Sequence, residues 1–148
     1  IRLEEDSETP IMLLHEPDTS RFLPIWIGTI EAVSIAYAQE GYVHPRPQTH
    51  DLLVDIVESL NATISEVCIT DIKDKTYFAE ITLNTIEGDV TLSSRPSDAI
   101  ALAIRSNAKI TVNHNLFNQN SIILIDENNQ EIKEFIEFID DITPEDFL

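Results

Sequence analysis

Glycine is scarce in this chain, with three in 148 residues, and cysteine, methionine and tryptophan occur once each. Three glycines cannot supply the glycine-rich loop that wraps phosphates in backbone N–H groups. The lone Cys68 excludes an internal disulfide and a cysteine-based zinc cluster. Its apolar neighbours mark a small core residue in a reducing compartment, so a cytoplasmic location is expected. Gly-x-Ser-x-Gly and His-Glu-x-x-His are missing as well, which removes the usual serine-hydrolase and zinc-protease signatures. No apolar run approaches the roughly 18 residues that a membrane span needs, and no signal peptide can be read.

Basic residues are also few, nine against 27 acidic ones, for a net charge of −18. The acidity gathers at the ends: residues 1–20 hold six acids and one base, and residues 126–148 hold nine acids and one base. No stretch is a basic patch, and a strongly negative field opposes binding to a phosphate backbone. What is present is a hydrophobic content of 43%, rich in Ile, Leu and Val. That suits one packed domain burying about 70% of the surface its unfolded chain exposes. The chain opens at Ile1, without Met, directly on extended-looking sequence, so a preceding strand is expected to be missing.

Residues 10–16 and 21–27 read as two strands around a turn at 17–20, with Pro24 marking an edge or a bulge. Gly28 and Thr29 open an almost wholly apolar helix to about Gln39. Thr49 is expected to cap a second helix to about Leu60, with Leu52, Leu53, Ile56, Val57 and Leu60 as its apolar stripe. Strands are predicted at about 63–72, 75–84 and 88–94, followed by an apolar helix from Pro96 or Ser97 to Asn107. A short strand at 109–112, a polar turn and a strand at 121–125 complete a domain over residues 1–125. Residues 126–148 are expected to form an acidic C-terminal helical extension, with Ile132, Phe135, Ile136 and Ile139 on one face. Hairpins mixed with helices, without strict βαβ alternation, make the fold class α+β with a mixed, mostly antiparallel sheet.

One phrase occurs twice: Arg46-Pro47-Gln48-Thr49-His50-Asp51, and then Arg95-Pro96-Ser97-Asp98. The recurrence hints at an internal duplication. Proline biases the residue before it towards extended backbone, so each Arg should stand just outside a helix. The Thr or Ser can cap the free N–H groups, and the Asp falls in the positive first turn. Cation, carboxylate and helix N-terminus are thus combined twice. Such a pairing suits an anion or metal–phosphate site, and it equally suits an Arg–Asp capping bridge. Glu31 lies in the first turn of its helix, where it can ligate a cation, act as a base or simply complement the helix dipole. His50 adjoins Asp51, an arrangement fit for acid–base work or for fixing a loop. Trp26, within Pro24-Ile25-Trp26-Ile27, reads as core.

Leu23-Pro24-Ile25-Trp26-Ile27-Gly28, Glu31-Ala32, the Arg46–Leu52 block and Arg95-Pro96-Ser97-Asp98-Ala99-Ile100-Ala101-Leu102-Ala103 together resemble the bifunctional nuclease domain. The likeness runs from about Pro10 to Val112. It implies a compact α+β domain that self-associates as a homodimer, with nuclease activity on RNA and DNA ascribed chiefly to plant members. Matching motif positions become candidates: Arg46, His50, Asp51, Arg95 and Asp98 for catalysis, and Glu31, Asp51 and Asp98 for Mg²⁺ or Mn²⁺, which prefer oxygen ligands. The chain departs from the family pattern in its acidic ends and at Lys75, where a turn glycine is typical. The alternative is a non-catalytic interaction module whose Arg–Asp pairs are architectural. The two expectations separate on whether these groups share one open cleft.

Overall fold

A computed structural model describes residues 9–124; the expected acidic extension at 126–148 lies outside the described residues. The chain begins with an antiparallel hairpin, β1 (Ile11–His15) and β2 (Arg21–Trp26), registered so that Met12 faces Ile25 and Leu14 faces Leu23. Pro24 cannot donate to a ladder. It sits in the half of β2 beyond the two residues, Arg21 and Phe22, that pair with β7 (Ile122–Ile123). Helices α1 (Thr29–Gln39) and α2 (Thr49–Ser59) follow. A meander of β3 (Thr63–Lys73), β4 (Thr76–Thr85) and β5 (Gly88–Ser94) leads to α3 (Pro96–Ser106), β6 (Lys109–Val112) and α4 (His114–Asn120). The second sheet has the order β5-β4-β3-β6, antiparallel except for β6, which runs parallel to β3.

Packing centres on α3. Ala99, Ile100, Ala101, Leu102 and Ala103 are all buried, between the sheet on one side and α1 and α2 on the other. Helices α1 and α3 pack against each other, and both bury alanines, Ala32 and Ala36 on α1 and Ala99, Ala101 and Ala103 on α3, small side chains that let helices approach closely. On β3 the buried residues run Ile64, then Val67 and Ile69; a register shift between Ile64 and Glu66 resets the alternation so that both halves still face the core.

Helix α2 departs from the pattern read in its sequence. Its buried positions are His50 and Val54, while Leu52 is 50%, Leu53 40%, Ile56 46% and Leu60 73% exposed. The periodicity is helical as expected, but α2 meets the rest of the domain mainly through its His50 and Val54 edge, which leaves an apolar strip about half exposed. Trp26 is likewise half exposed rather than core. Neither Thr49 nor Ser97 caps its helix by a side-chain bond; Gln48 and Arg95 are the capping positions.

Asp74 and Lys75 form the two-residue turn between β3 and β4 with φ of 50° and 65°. Left-handed backbone crowds a side chain with a Cβ, and glycine relieves it. Lys75→Gly should raise stability by about 0.5–1 kcal/mol in chemical denaturation; an unchanged or lower midpoint would show that the turn is unstrained.

Candidate active site

Each of the first three helices carries an acid at the third position after its cap: Glu31 on α1, Asp51 on α2 and Asp98 on α3. At that position a carboxylate complements the helix dipole and can turn back over its own cap. The Asp51 carboxylate does this, accepting the Gln48 N–H at 2.9 Å. Proline fixes Arg95 in extended backbone (φ −70°, ψ 146°), which sets its side chain beside the start of α3. There its guanidinium forks onto Asp98, Nε to Oδ2 at 2.9 Å and Nη2 to Oδ1 at 3.1 Å, while Nη1 donates to Glu31 Oε1 at 2.9 Å. One cation therefore joins the N-termini of α1 and α3.

His50 joins α2 to the same group. Its ring is buried, with Nε2 2.9 Å from Asp98 Oδ1 and Nδ1 2.6 Å from Ser34 Oγ. An ionised carboxylate can only accept, so Nε2 carries the proton. In the neutral ring Nδ1 is then the acceptor, and the Ser34 hydroxyl donates to it. Ser34 Oγ in turn accepts from Arg105 Nη2 at 3.2 Å. The outcome is a continuous chain, Glu31–Arg95–Asp98–His50–Ser34–Arg105, across three helices.

Arg105 closes the far side. Its side chain is only 10% exposed and donates to Asp51 Oδ1 at 2.7 Å, to the Ala101 carbonyl at 2.9 Å and to the Ser34 carbonyl at 3.1 Å. Burial works to raise the Asp51 carboxyl, but the bonds from Arg105 and the Gln48 N–H outweigh it and hold the group below the usual range. Asp98 behaves alike: burial opposes the charge, while Arg95 and then His50 more than restore it. Arg95 is raised further above its already high value, first by Asp98 and then by Glu31.

Glu31, Ser34, His50, Arg95, Asp98 and Arg105 border one solvent-open cavity of about 640 Å³, whose remaining walls are largely apolar. Of the expected catalytic residues, His50, Arg95 and Asp98 thus come together, and Glu31 joins them. Asp51 does not border this cavity; it faces a separate hollow beside Tyr42 and Val43. Arg46 is exposed outside the cluster, and among the described residues its guanidinium makes no ion pair. The two Arg-Pro phrases are therefore unequal: Arg95 bridges to its own Asp98, whereas Asp51 takes Arg105 instead.

The carboxylates expected to share a divalent metal are arranged differently. Glu31 and Asp98 converge on the Arg95 guanidinium, Asp51 is turned to Arg105, and among the described residues no three His, Cys, Asp or Glu side chains are grouped to hold an ion.

Ser34 and Arg105 are the members of the site that the motifs did not single out. Each left a faint sign: Ser34 is the one serine in the apolar run of α1, and Arg105 the one base in the otherwise apolar turns of α3.

The fold and the cluster define an α+β domain with an arginine–carboxylate–histidine site at a helix junction. The chain belongs to the bifunctional nuclease domain family, whose model matches residues 12–124. It is 36% identical over 156 residues to a protein of Mycobacterium tuberculosis described as uncharacterised, covering 99% of this chain and 93% of that protein. It is 31% identical over 120 residues to bifunctional nuclease 2 of Arabidopsis thaliana, covering 78% of this chain but 36% of the plant protein. Bifunctional nuclease 1 of Oryza sativa subsp. japonica is 25% identical over 118 residues, with the same coverage.

Asp51→Asn removes a charged cap and strands the buried Arg105, so it should lower stability by about 2–4 kcal/mol at neutral pH. Because the folded carboxyl has a lower pKa than the unfolded one, its contribution is full above about pH 3.9 and fades as the pH falls below that. The gap between wild type and variant in denaturant midpoints should therefore narrow as the pH falls through about 3.9 and below; parallel curves would contradict the ion pair. A Cβ at Gly28 would run into the Glu31 carboxylate. Gly28→Ala should accordingly swing Glu31 off Arg95 with little loss of stability, read as a shift of the Arg95 Nη1–H resonance, which donates to Glu31.

Proposed function

We propose that this chain hydrolyses phosphodiester bonds of RNA or DNA at the cavity bordered by Arg95, Asp98, His50 and Ser34. The observation that carries this is the unbroken hydrogen-bonded chain from Glu31 to Ser34 along an open cavity, in a domain of the bifunctional nuclease family. Arg95 is the phosphate-binding group. Its side chain is 63% exposed, and its bonds to Asp98 and Glu31 use three of the five N–H donors an arginine has. Glu31 and Asp98 hold that fork in place, so it needs no reorganisation as charge builds on phosphorus.

His50 is the acid–base group. Water bound at Ser34 gives its proton through Oγ to Nδ1, and Asp98 stabilises the resulting imidazolium. The water oxygen bonds to phosphorus, the bond to the leaving oxygen breaks, and the imidazolium returns its proton from Nδ1 through Ser34 Oγ to solvent, which protonates that oxygen. No step in this scheme passes through a metal ion. A Mg²⁺ or Mn²⁺ requirement, the other possibility raised by the acidic motif residues, is measured by the same assay run with each ion and with EDTA.

The competing assignment is a non-catalytic module, favoured by the fact that every charged group of the cluster already has a partner and that the acids outnumber the bases. A cleavage assay on fluorescent RNA and single-stranded DNA separates the two. Arg95→Lys keeps the charge, loses the fork and changes an exposed side chain, so the variant should fold and lose about 100-fold in rate. Ser34→Ala should slow cleavage while leaving substrate affinity unchanged. Equal rates in wild type and Arg95→Lys would mark the activity as a contaminant, and no cleavage by folded protein under any ionic condition would leave the architectural assignment.

A further inference from the structure

We infer that the cavity receives the base of one unpaired nucleotide, with the adjoining phosphate on Arg95, so that the ligand is recognised one nucleotide at a time and not along its backbone. The inference rests on the proposed placement of phosphate at Arg95 and extends it to the class of ligand.

Charge supplies the first reason. Proteins that grip a nucleic-acid backbone do so with many Lys and Arg contacts that release counterions. This chain carries −18, and at the cavity Arg95 is the one exposed cation, since Arg105 is almost buried and committed to Asp51. One cation can hold one phosphate. Affinity beyond that has to come from a contact that charge does not govern.

The walls supply the second. The six residues of the hydrogen-bonded chain form one continuous polar side of the cavity; Gln48, Thr49, Ser93 and Ser94 also border it, and Val33, Leu53, Val57, Leu83 and Leu92 are among the apolar residues that make up most of the rest. A volume of about 640 Å³ falls in the ordinary range for a small-molecule site, and apolar walls with one polar side match an aromatic base bearing a phosphate. Tyr37 adds a ring at the wall, held edge-on by His44 with centroids 4.2 Å apart. Bases stack on such rings without regard to sequence.

Pairing state supplies the third. A paired base in a duplex has neither its face nor its edge free to enter and would first have to be extruded from the stack, so an unpaired nucleotide is the favoured ligand.

The test uses adenosine 5′-monophosphate, which cannot be cleaved at an internucleotide bond, and reads binding by calorimetry and by NMR shifts at the cavity. Adenosine monophosphate should bind at least tenfold more tightly than inorganic phosphate and than adenosine. Leu92→Trp, at an edge strand, should fill the cavity and weaken binding tenfold or more while the melting temperature holds. Leu53→Trp, on an exposed helix face, is the second variant should the first misfold. For a single-stranded oligonucleotide the slope of log K against log salt should be near −0.7, the value for about one phosphate. Equal affinity for adenosine and its monophosphate, insensitivity to both tryptophans, or a slope several times steeper would each overturn the inference. Binding of the monophosphate without any cleavage of RNA or DNA would refute the hydrolase and leave this site standing; cleavage without nucleotide binding would do the reverse.

Discussion

Three helix N-termini in this protein each present a carboxylate at the same capping position, and the structure depends on where the matching cations come from. Like charges gathered at a helix junction repel and resist burial. Two arginines, one at each end of α3, answer them. Arg95 takes Glu31 and Asp98, and Arg105 takes Asp51 together with the Ser34 carbonyl. Because α3 is also the apolar centre of the domain, its two charged ends fix how α1 and α2 lie over the sheet. The polar cluster and the hydrophobic core are consequently one construction, with His50 as the buried link between them.

The same arrangement explains how so acidic a chain keeps these partly buried carboxylates ionised. The bridges lower the proton affinity of Asp51 and Asp98 and so preserve their charge, which in turn sets the tautomer of His50. Arg95 stays exposed because its partners hold it from below, and Arg105 is spent on architecture. The mirror-image roles expected of the two Arg-Pro phrases therefore split into one bridge at a cavity and one bridge at a helix junction. They open helices reached by different routes: α2 follows a helix and loop, α3 a strand.

Much of this was legible along the chain. Alternating Val, Ile and Thr with turn residues between them located β3 to β5 to within a residue or two, since strand and turn signals are local. The apolar runs of α1 and α3, the extended Arg95 before Pro96 and the first-turn acids were local too. The motif blocks pointed to the family that the comparisons establish. By contrast, the apolar stripe of α2 was only partly informative, because periodicity gives a face but not what meets it: Val57 packs on the core, while Leu52, Ile56 and Leu60 stay half or more exposed.

Partnership was the part hidden from the chain. Asp51 stands five residues from Arg46 and 54 from Arg105, yet it pairs with the distant one, and Asp98 meets a histidine 48 residues away. Residue order fixes backbone preference, burial tendency and charge, because those depend on near neighbours and composition. Which carboxylate faces which cation, and whether a hydroxyl such as Ser34 ends in a core or on a cavity, depends on how helices stack across the sheet. That is settled by packing between segments far apart in sequence, for which no local spacing exists.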